Sequence, residues 1–287
     1  MKNRFLFVQI GLLAVLMLFG TACTNGQKIN VELKLISFNI RQSGLTDQDG
    51  ENKWDNRKGA IIKMIEQEAP SAFGLQEALL EQVQYIETNL PQYKRIGVGR
   101  DDGKNAGEFM AIFYLSEKFN LLQSGTFWLS SSPDSVSKGW DAACFRTVTW
   151  VRLEDKESKK EFYYFNTHFD HIGIAARENS VQLVLEKIKE IAGEKENIVF
   201  GGDLNSAASD PIFNPLKKYL DDARECSPVT DNKRTFNGFG STPDNIVIDY
   251  FFCKNIKCKI FKTLNGYYGA PYISDHYPIE IVFELSH

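Results

Sequence analysis

Five apolar, β-rich runs in this 287-residue chain each stop at a polar side chain, and that pattern restricts the fold more than any other feature. Asn39 follows ISF, Glu77 follows GLQ, His168 follows FNT, Asp203 and Asn205 follow VFGG, and Asp275 and His276 follow YIS. If these strands share a sheet, their polar ends converge at one edge. Rigid strands can hold chemistry there while the loops remain free to carry side chains.

The spacing between these runs predicts a β-then-α start. A strand is expected over residues 33–40 and a helix over 54–70, where Ile61, Ile62, Ile65 and Ala69 recur at helical spacing before Pro70. A short strand over 72–77 and a helix over 78–90, closed by Pro91, come next. Strand-like runs at 93–98, 109–115, 121–129, 147–153 and 162–167 follow without intervening helices, which implies antiparallel pairing. A third helix is expected over 175–192, with Val181, Leu185, Ile188 and Ala192 in one stripe. Strands then recur at 197–203, 246–252, around 257–262 and at 278–285. Mixed strands with few helices predict an α+β fold: a four-layer α/β/β/α sandwich of two packed mixed or antiparallel sheets flanked by helices, not one doubly wound sheet. A hydrophobic content of 43%, with 21 Phe and 11 Tyr, supplies a large core and excludes a disordered chain. One domain over residues 31–287 is expected.

The first residues read differently. Lys2 and Arg4 precede an apolar run over residues 5–20, too short for a comfortable membrane span and laid out like a secretory signal covering residues 1–22. GTAC at residues 20–23 resembles a bacterial lipoprotein signal, which makes Cys23 a lipidation site and residues 23–30 a tether. The expectation is an extracytoplasmic lipoprotein, periplasmic or anchored at the outer membrane, that meets the membrane through its lipid alone. The usual leucine is missing three positions before Cys23, so a soluble secreted protein is the alternative. Losing residues 1–22 removes two of the 33 basic residues and none of the 37 acidic ones, which takes the net charge from -4 to -6. Bulk charge therefore does not recruit polyanions, and nucleic acid would need a local basic patch. Cys253 and Cys258 bracket an expected turn and either pair in an oxidising compartment or stay as buried thiols.

The residue types at the strand ends point to one chemistry. Carboxylates and amide oxygens are hard donors suited to Mg2+ or Mn2+, and no CxxC pair argues for zinc. Only four histidines occur, three of them His168, His171 and His276, and two histidines beside carboxylates can move protons near neutral pH. Such a set suits hydrolysis of phosphate esters. Each residue also has a plainer reading. Asp203 and Asn205 suit a turn, His168 a satisfied core position, Glu77 a helix N-terminus, and Asp275 a polar loop. Five such coincidences at successive strand ends favour the shared site.

FNIR (38–41), LQE (75–77), NTH (166–168), GGDLN (201–205), IDYFF (248–252) and SDHYPI (274–279), in this order, resemble the signature of the endonuclease/exonuclease/phosphatase superfamily of metal-dependent phosphoesterases. GEFMAIFY (107–114), the arginine of CFRTVTWVRL and ISDHYPIEI are similar to the pancreatic-type deoxyribonucleases within it. The resemblance implies that Glu77 binds the metal with help from Asn39, with Asp275 in or beside the metal shell. It implies that Asp203 and Asn205 orient water and phosphoryl oxygens, that His168 pairs with Glu108 as the catalytic acid/base, and that His276 pairs with Asp249. Arg41 and Arg146 would grip phosphate, and Trp140 and Asp141 would help shape a pocket. His171 either lines that pocket or caps the loop before Ala175. The loop DDGKNAGEF lacks the tyrosine that the pancreatic-type enzymes press into DNA, and IDYFFCKN lacks the inositol-phosphatase motif. WDNRKGAII and SKGWDAACFR look like a bacterial subgroup whose motifs do not specify a substrate. The expected partner is thus a phosphate ester, either a small molecule or nucleic acid, acted on by a monomer. The alternatives are a secreted DNA/RNA endonuclease and a non-catalytic binding module on the same fold.

Overall fold

The computed structural model describes residues 32–285, so the expected signal (1–22), the lipidation site Cys23 and the tether (23–30) lie outside the described residues, as does His287. In chain order the elements are β1 (Glu32–Asn39), α1 (Thr46–Asp49), α2 (Trp54–Glu68), β2 (Ala72–Gln76), α3 (Leu80–Asn89), β3 (Tyr93–Ile96), β4 (Ile112–Leu115), β5 (Phe119–Trp128) and β6 (Thr147–Asp155). They continue with β7 (Glu161–His168), α4 (Ile174–Ile191), β8 (Ile198–Asp203), α5 (Asn214–Tyr219), β9 (Asp221–Asp222), α6 (Ala223–Cys226), β10 (Asp249–Lys254), β11 (Ile256–Thr263) and β12 (Ile279–Leu285).

The strands form two six-stranded sheets, ordered β11-β12-β1-β2-β4-β3 and β5-β6-β7-β8-β10-β9. Both are mixed, because β1 runs parallel to β2 and β7 runs parallel to β8 while the other pairs are antiparallel. Three apolar clusters correspond to the three interfaces of an α/β/β/α sandwich. Ile61, Met64 and Ile65 of α2 and Val83 and Ile86 of α3 pack on Phe38, Phe73 and Phe113. Leu33, Leu35, Phe162, Tyr164, Val199, Phe251 and Phe283 fill the space between the sheets. Val181, Val184 and Ile188 of α4 pack on Phe165, Phe200 and Phe252. Among the described residues no helix is long and apolar enough to cross a membrane.

This partition follows the strand period of two. In β1, Leu33 and Leu35 face the other sheet while Ile36 and Phe38 face the helices, so Ser37 and Asn39 continue the inner face. By the same count His168 continues Phe162 and Tyr164, Asp203 continues Val199, and Asp249 precedes Phe251. Inner faces that are apolar mid-strand thus turn polar at one end of both sheets.

Several boundaries differ from the spacing. The expected strand over 109–115 begins only at Ile112; Phe109 makes isolated bridges to Ala78 and Gly99 instead. The strand expected over 246–252 spans Asp249–Lys254, because Ile246 is taken by a bridge to Phe236. Helices α1, α5 and α6, of four to six residues, are too short to show a helical period. The helix α2 stops where expected, with Ala69 left-handed (φ 47) ahead of Pro70. Cys253 and Cys258 lie in different sheets, with Asn255 (φ 54) turning the chain between them; their Sγ atoms are 3.4 Å apart and both are free thiols.

Candidate active site

The C-terminal ends of β1, β2, β7 and β8 and the starts of β6, β10 and β12 meet at one edge, where the chain leaves three strands in an unusual way. Arg41 (φ 58), Glu77 (φ 60) and Asn205 (φ 49) all have left-handed backbones, one or two residues after β1, β2 and β8. A non-glycine residue held so costs about 1–3 kcal/mol, which neighbouring contacts must offset. The Arg41 carbonyl accepts from Arg57 Nη2 (2.8 Å) and Gln82 Nε2 (3.0 Å). Glu77 accepts from the Gln42 amide (3.2 Å) and from Asn39 Nδ2 (3.1 Å). The Asn205 amide donates to Asp203 (3.0 Å), and its side chain donates to the Phe169 carbonyl (2.9 Å).

Strand register then aligns the functional groups. His168 pairs with Asp203 across β7–β8, and Asp203 pairs with Asp249 across β8–β10. Asn39 Nδ2 also donates to Asp203 Oδ2 (3.0 Å), joining the two sheets at the site. His276 Nδ1 lies 2.9 Å from Asp249 Oδ2, so the structure brings together the pair that the resemblance implied. Its Nε2 is 3.7 Å from Asp203. His168 Nε2 lies 2.9 Å from Asn205 Nδ2 and 3.5 Å from Asp203. With Asn205 as donor, the His168 proton sits on Nδ1, a buried atom with no partner among the described residues.

Burial and neighbouring charge separate the two imidazoles. Burial, reinforced by Arg146 and Arg100, holds His168 well below its ordinary value and therefore neutral at pH 7. Burial also opposes charge on His276, but Asp249 and Asp203 outweigh it and push the ring up to about 10. Burial and the charge of Asp249 push Asp203 up to about 7. Burial raises Asp275, and the like charge of Glu77 adds to it.

The expected pairing of His168 with Glu108 is not found. Glu108 instead accepts from Arg100 Nη1 (2.5 Å) and Gln42 Nε2 (3.4 Å), because a guanidinium satisfies a buried carboxylate better than a neutral ring. Burial pushes Glu108 up to about 7 despite Arg100. Arg41 is held by Asp49 (3.0 Å) and reaches Asp275 (3.4 Å). Arg146 donates to Asp170 (3.3 Å) and lies 3.0 Å from His171 Nδ1, which places His171 in the cleft wall. Trp140 and Asp141 do not line the cleft. Asp141 accepts from the amides of Ala175 (3.3 Å) and Ala176 (2.6 Å), where four unpaired N–H groups at the start of α4 need acceptors. Trp140 is 41% exposed. Sequence reasoning missed Arg100, Asp170, Gln42 and Arg57; none follows an apolar run at a strand end, and only the motif WDNRK touches one of them.

These groups line a cleft of about 620 Å³, within the range of small-molecule sites. Its donor chemistry fits a hard divalent cation on one side, where Glu77 and Asp275 bring two carboxylates close enough to repel. Asn39 turns its amide nitrogen toward Glu77 and its oxygen to the Arg41 amide (3.1 Å), so it acts there by orienting Glu77. Asp203, Asp249 and His276 form a second compact set, fully buried. Cys144, Asp170 and His171 form a third, but Arg146 already supplies a cation to it.

Two mixed sheets packed between helices, with carboxylates, imidazoles and guanidiniums gathered at one edge, define a class of α+β sandwich whose members are generally phosphoester hydrolases. The chain belongs to the Endonuclease/Exonuclease/phosphatase family, whose profile matches residues 36–276 and whose members typically depend on divalent metal. It is similar to an endonuclease/exonuclease/phosphatase from Bacteroides vulgatus, with 37% identity and a TM-score of 0.84 over 89% of this chain and 99% of the other. A mannosyl-6-phosphatase from Bacteroides thetaiotaomicron matches at 34% identity and a TM-score of 0.83, over 88% and 99% of the two chains. An uncharacterised protein of Acanthamoeba polyphaga mimivirus is 27% identical over 274 residues, 88% of this chain and 100% of its own length.

Proposed function

We propose that this protein is a divalent-metal-dependent phosphoesterase acting on the phosphate ester of a small polar molecule, a sugar phosphate being the class that fits best. The observation that carries the reading is the cleft of about 620 Å³, which gathers hard acidic donors, three imidazoles and three arginines in a space suited to one small molecule rather than a polymer. The similarity to a mannosyl-6-phosphatase at 34% identity supports a sugar ester.

Glu77 and Asp275, with Asn39 orienting Glu77, would hold Mg2+ or Mn2+, which supplies charge neutralisation at a phosphoryl oxygen. Arg146 and Arg41 bind the remaining phosphoryl oxygens. His276, kept protonated by Asp249 and Asp203, places a fixed positive charge beside them. Asp203 and Asn205 orient the attacking water, and Asp203 is poised near neutrality to take its proton. His168, neutral in the free protein, serves as the second acid/base group, and the charge of a bound phosphate raises its affinity for a proton.

Hydrolysis should be followed with Mg2+ or Mn2+, and then with chelator, on sugar phosphates, bis-nitrophenyl phosphate, RNA and plasmid DNA in parallel. Chelator-sensitive release of phosphate from sugar phosphates is expected. Glu77→Ala should abolish it, and His168→Ala should reduce it by at least about 100-fold, as loss of an acid/base group does. Plasmid nicking without sugar-phosphate turnover would make the protein a nuclease, and near-normal rates in either variant would overturn the residue assignments.

A further inference from the structure

Arg57 is the largest fully buried side chain in the described molecule, only 1% exposed, and it touches no carboxylate. Its guanidinium donates instead to four backbone carbonyls. Nε reaches Asn52 (2.8 Å), Nη2 reaches Arg41 (2.8 Å), and Nη1 reaches both Ile40 and Ile273 (3.1 Å for Ile273). Trp54 and Phe239 flank it, with ring centroids 5.5 and 5.9 Å from the guanidinium carbon. A buried cation is costly unless its surroundings are arranged for it.

The carbonyls of Ile40 and Arg41 and that of Ile273 belong to segments far apart in sequence but joined at the site. Ile40 and Arg41 immediately follow Asn39, and Arg41 is one of the left-handed residues. Ile273 immediately precedes Ser274, whose hydroxyl donates to the Asn39 carbonyl (2.7 Å), and then Asp275 and His276. A planar fork of N–H groups can hold both chain segments at a fixed separation, as a lysine ammonium cannot. We infer that Arg57 is a positioning residue that locks the Asn39–Arg41 turn against the loop bearing Asp275 and His276, so that Asp275 from the loop and Glu77, which Asn39 and the Gln42 amide hold, face one cation. What is positioned rests on the phosphoesterase reading; the locking itself does not.

The test compares wild type with Arg57→Lys, using calorimetric Mn2+ titration, steady-state hydrolysis and amide exchange. In a variant that keeps a cooperative melt, Mn2+ affinity and kcat should each fall about 10- to 100-fold, as when groups supporting metal ligands are lost, while KM for substrate stays near its wild-type value. Exchange should rise in peptides covering residues 39–43 and 272–277 and nowhere else. A folded variant with unchanged Mn2+ affinity and kcat would overturn the inference. Should Arg57→Lys fail to fold, the wild type decides. The Ile40 amide, bonded to the Gln76 carbonyl (3.1 Å), and the Tyr277 amide, bonded to the Thr235 carbonyl (2.6 Å), must share one opening free energy. Unequal protection of the two would sink the lock. A wild type that binds no divalent ion and hydrolyses no phosphoester defeats the functional reading alone, since the exchange result is read without substrate or metal.

Discussion

Asp170 gathers the cleft wall around one carboxylate. Its oxygens accept from the amides of Gly173 (2.7 Å), Ile172 (3.0 Å) and Ala143 (3.0 Å) and from Arg146 Nε (3.3 Å). Burial opposes the charge, but the three amides and Arg146 outweigh it, so the carboxyl is held well below the usual carboxylate range. A carboxyl whose folded pKa is depressed adds stability above its unfolded value, near 3.9, and that stability is lost as pH falls toward the folded pKa. Asp170→Asn should therefore lower unfolding free energy at pH 7 by about 3–5 kcal/mol, because Arg146 is left buried without a carboxylate. Urea denaturation at pH 7 and at several values below pH 4 checks both parts. The variant should depend less on pH in the acid range than wild type, and an equal slope would show that Asp170 is not the group responsible. Nothing in FDHIG shows that this aspartate holds the cleft wall, since two of its four partners, Ala143 and Arg146, come from a loop more than 20 residues earlier.

At the scale of elements, the long strands and helices were legible and their connections were not. Helix α4 shows why. Its apolar stripe announces the helix, but Gly173 at its start offers no side-chain cap, and the acceptor comes from Asp141, more than 30 residues away. Asp141 was expected in a substrate pocket and serves a helix terminus. Asp141→Ala should cost about 0.5–2 kcal/mol in thermal unfolding, the usual value of an N-terminal cap, with KM for the best substrate unchanged. A raised KM at full stability would return Asp141 to the pocket. The glycines of β8 tell the opposite story. The strand expected over 197–203 is β8, Gly201 and Gly202 included, and a Cβ on Gly202 (φ 141) would meet the Thr167 carbonyl at 1.9 Å. The close approach of β7 and β8 that sets His168 beside Asp203 therefore requires glycine there.

For the whole molecule, the packing of two sheets at a site-forming separation depends on a buried polar seam. Asn166 of β7 donates to the carbonyls of Leu75 (2.9 Å) and Ala111 (3.1 Å) in the other sheet, and accepts from Gln76 Nε2 (2.6 Å), which also donates to Ser37 (3.1 Å). Gly74 makes room for it, since a Cβ there would sit 2.7 Å from the Asn166 amide. Asn166→Leu should destabilise the fold by at least about 2 kcal/mol, given 1–3 for each buried group left unpaired. A urea midpoint within error of wild type would show that the seam adds nothing. The sequence by itself determined every strand but the two-residue β9, and which strand ends are polar, because an apolar run that stops at a polar side chain is a local property of the chain and needs no partner to be read. The convergence of Asn39, Glu77, His168, Asp203, Asp249, Asp275 and His276 follows from that pattern and from the motif order. Only the tertiary structure decided who pairs with whom. Glu108 meets Arg100 and not His168, Asp141 meets the start of α4 and stands outside the cleft lining, and Arg57 holds carbonyls from residues 40 and 273. Buried charges and donors choose partners by distance and geometry in the folded state, and that information is spread over segments more than 200 residues apart.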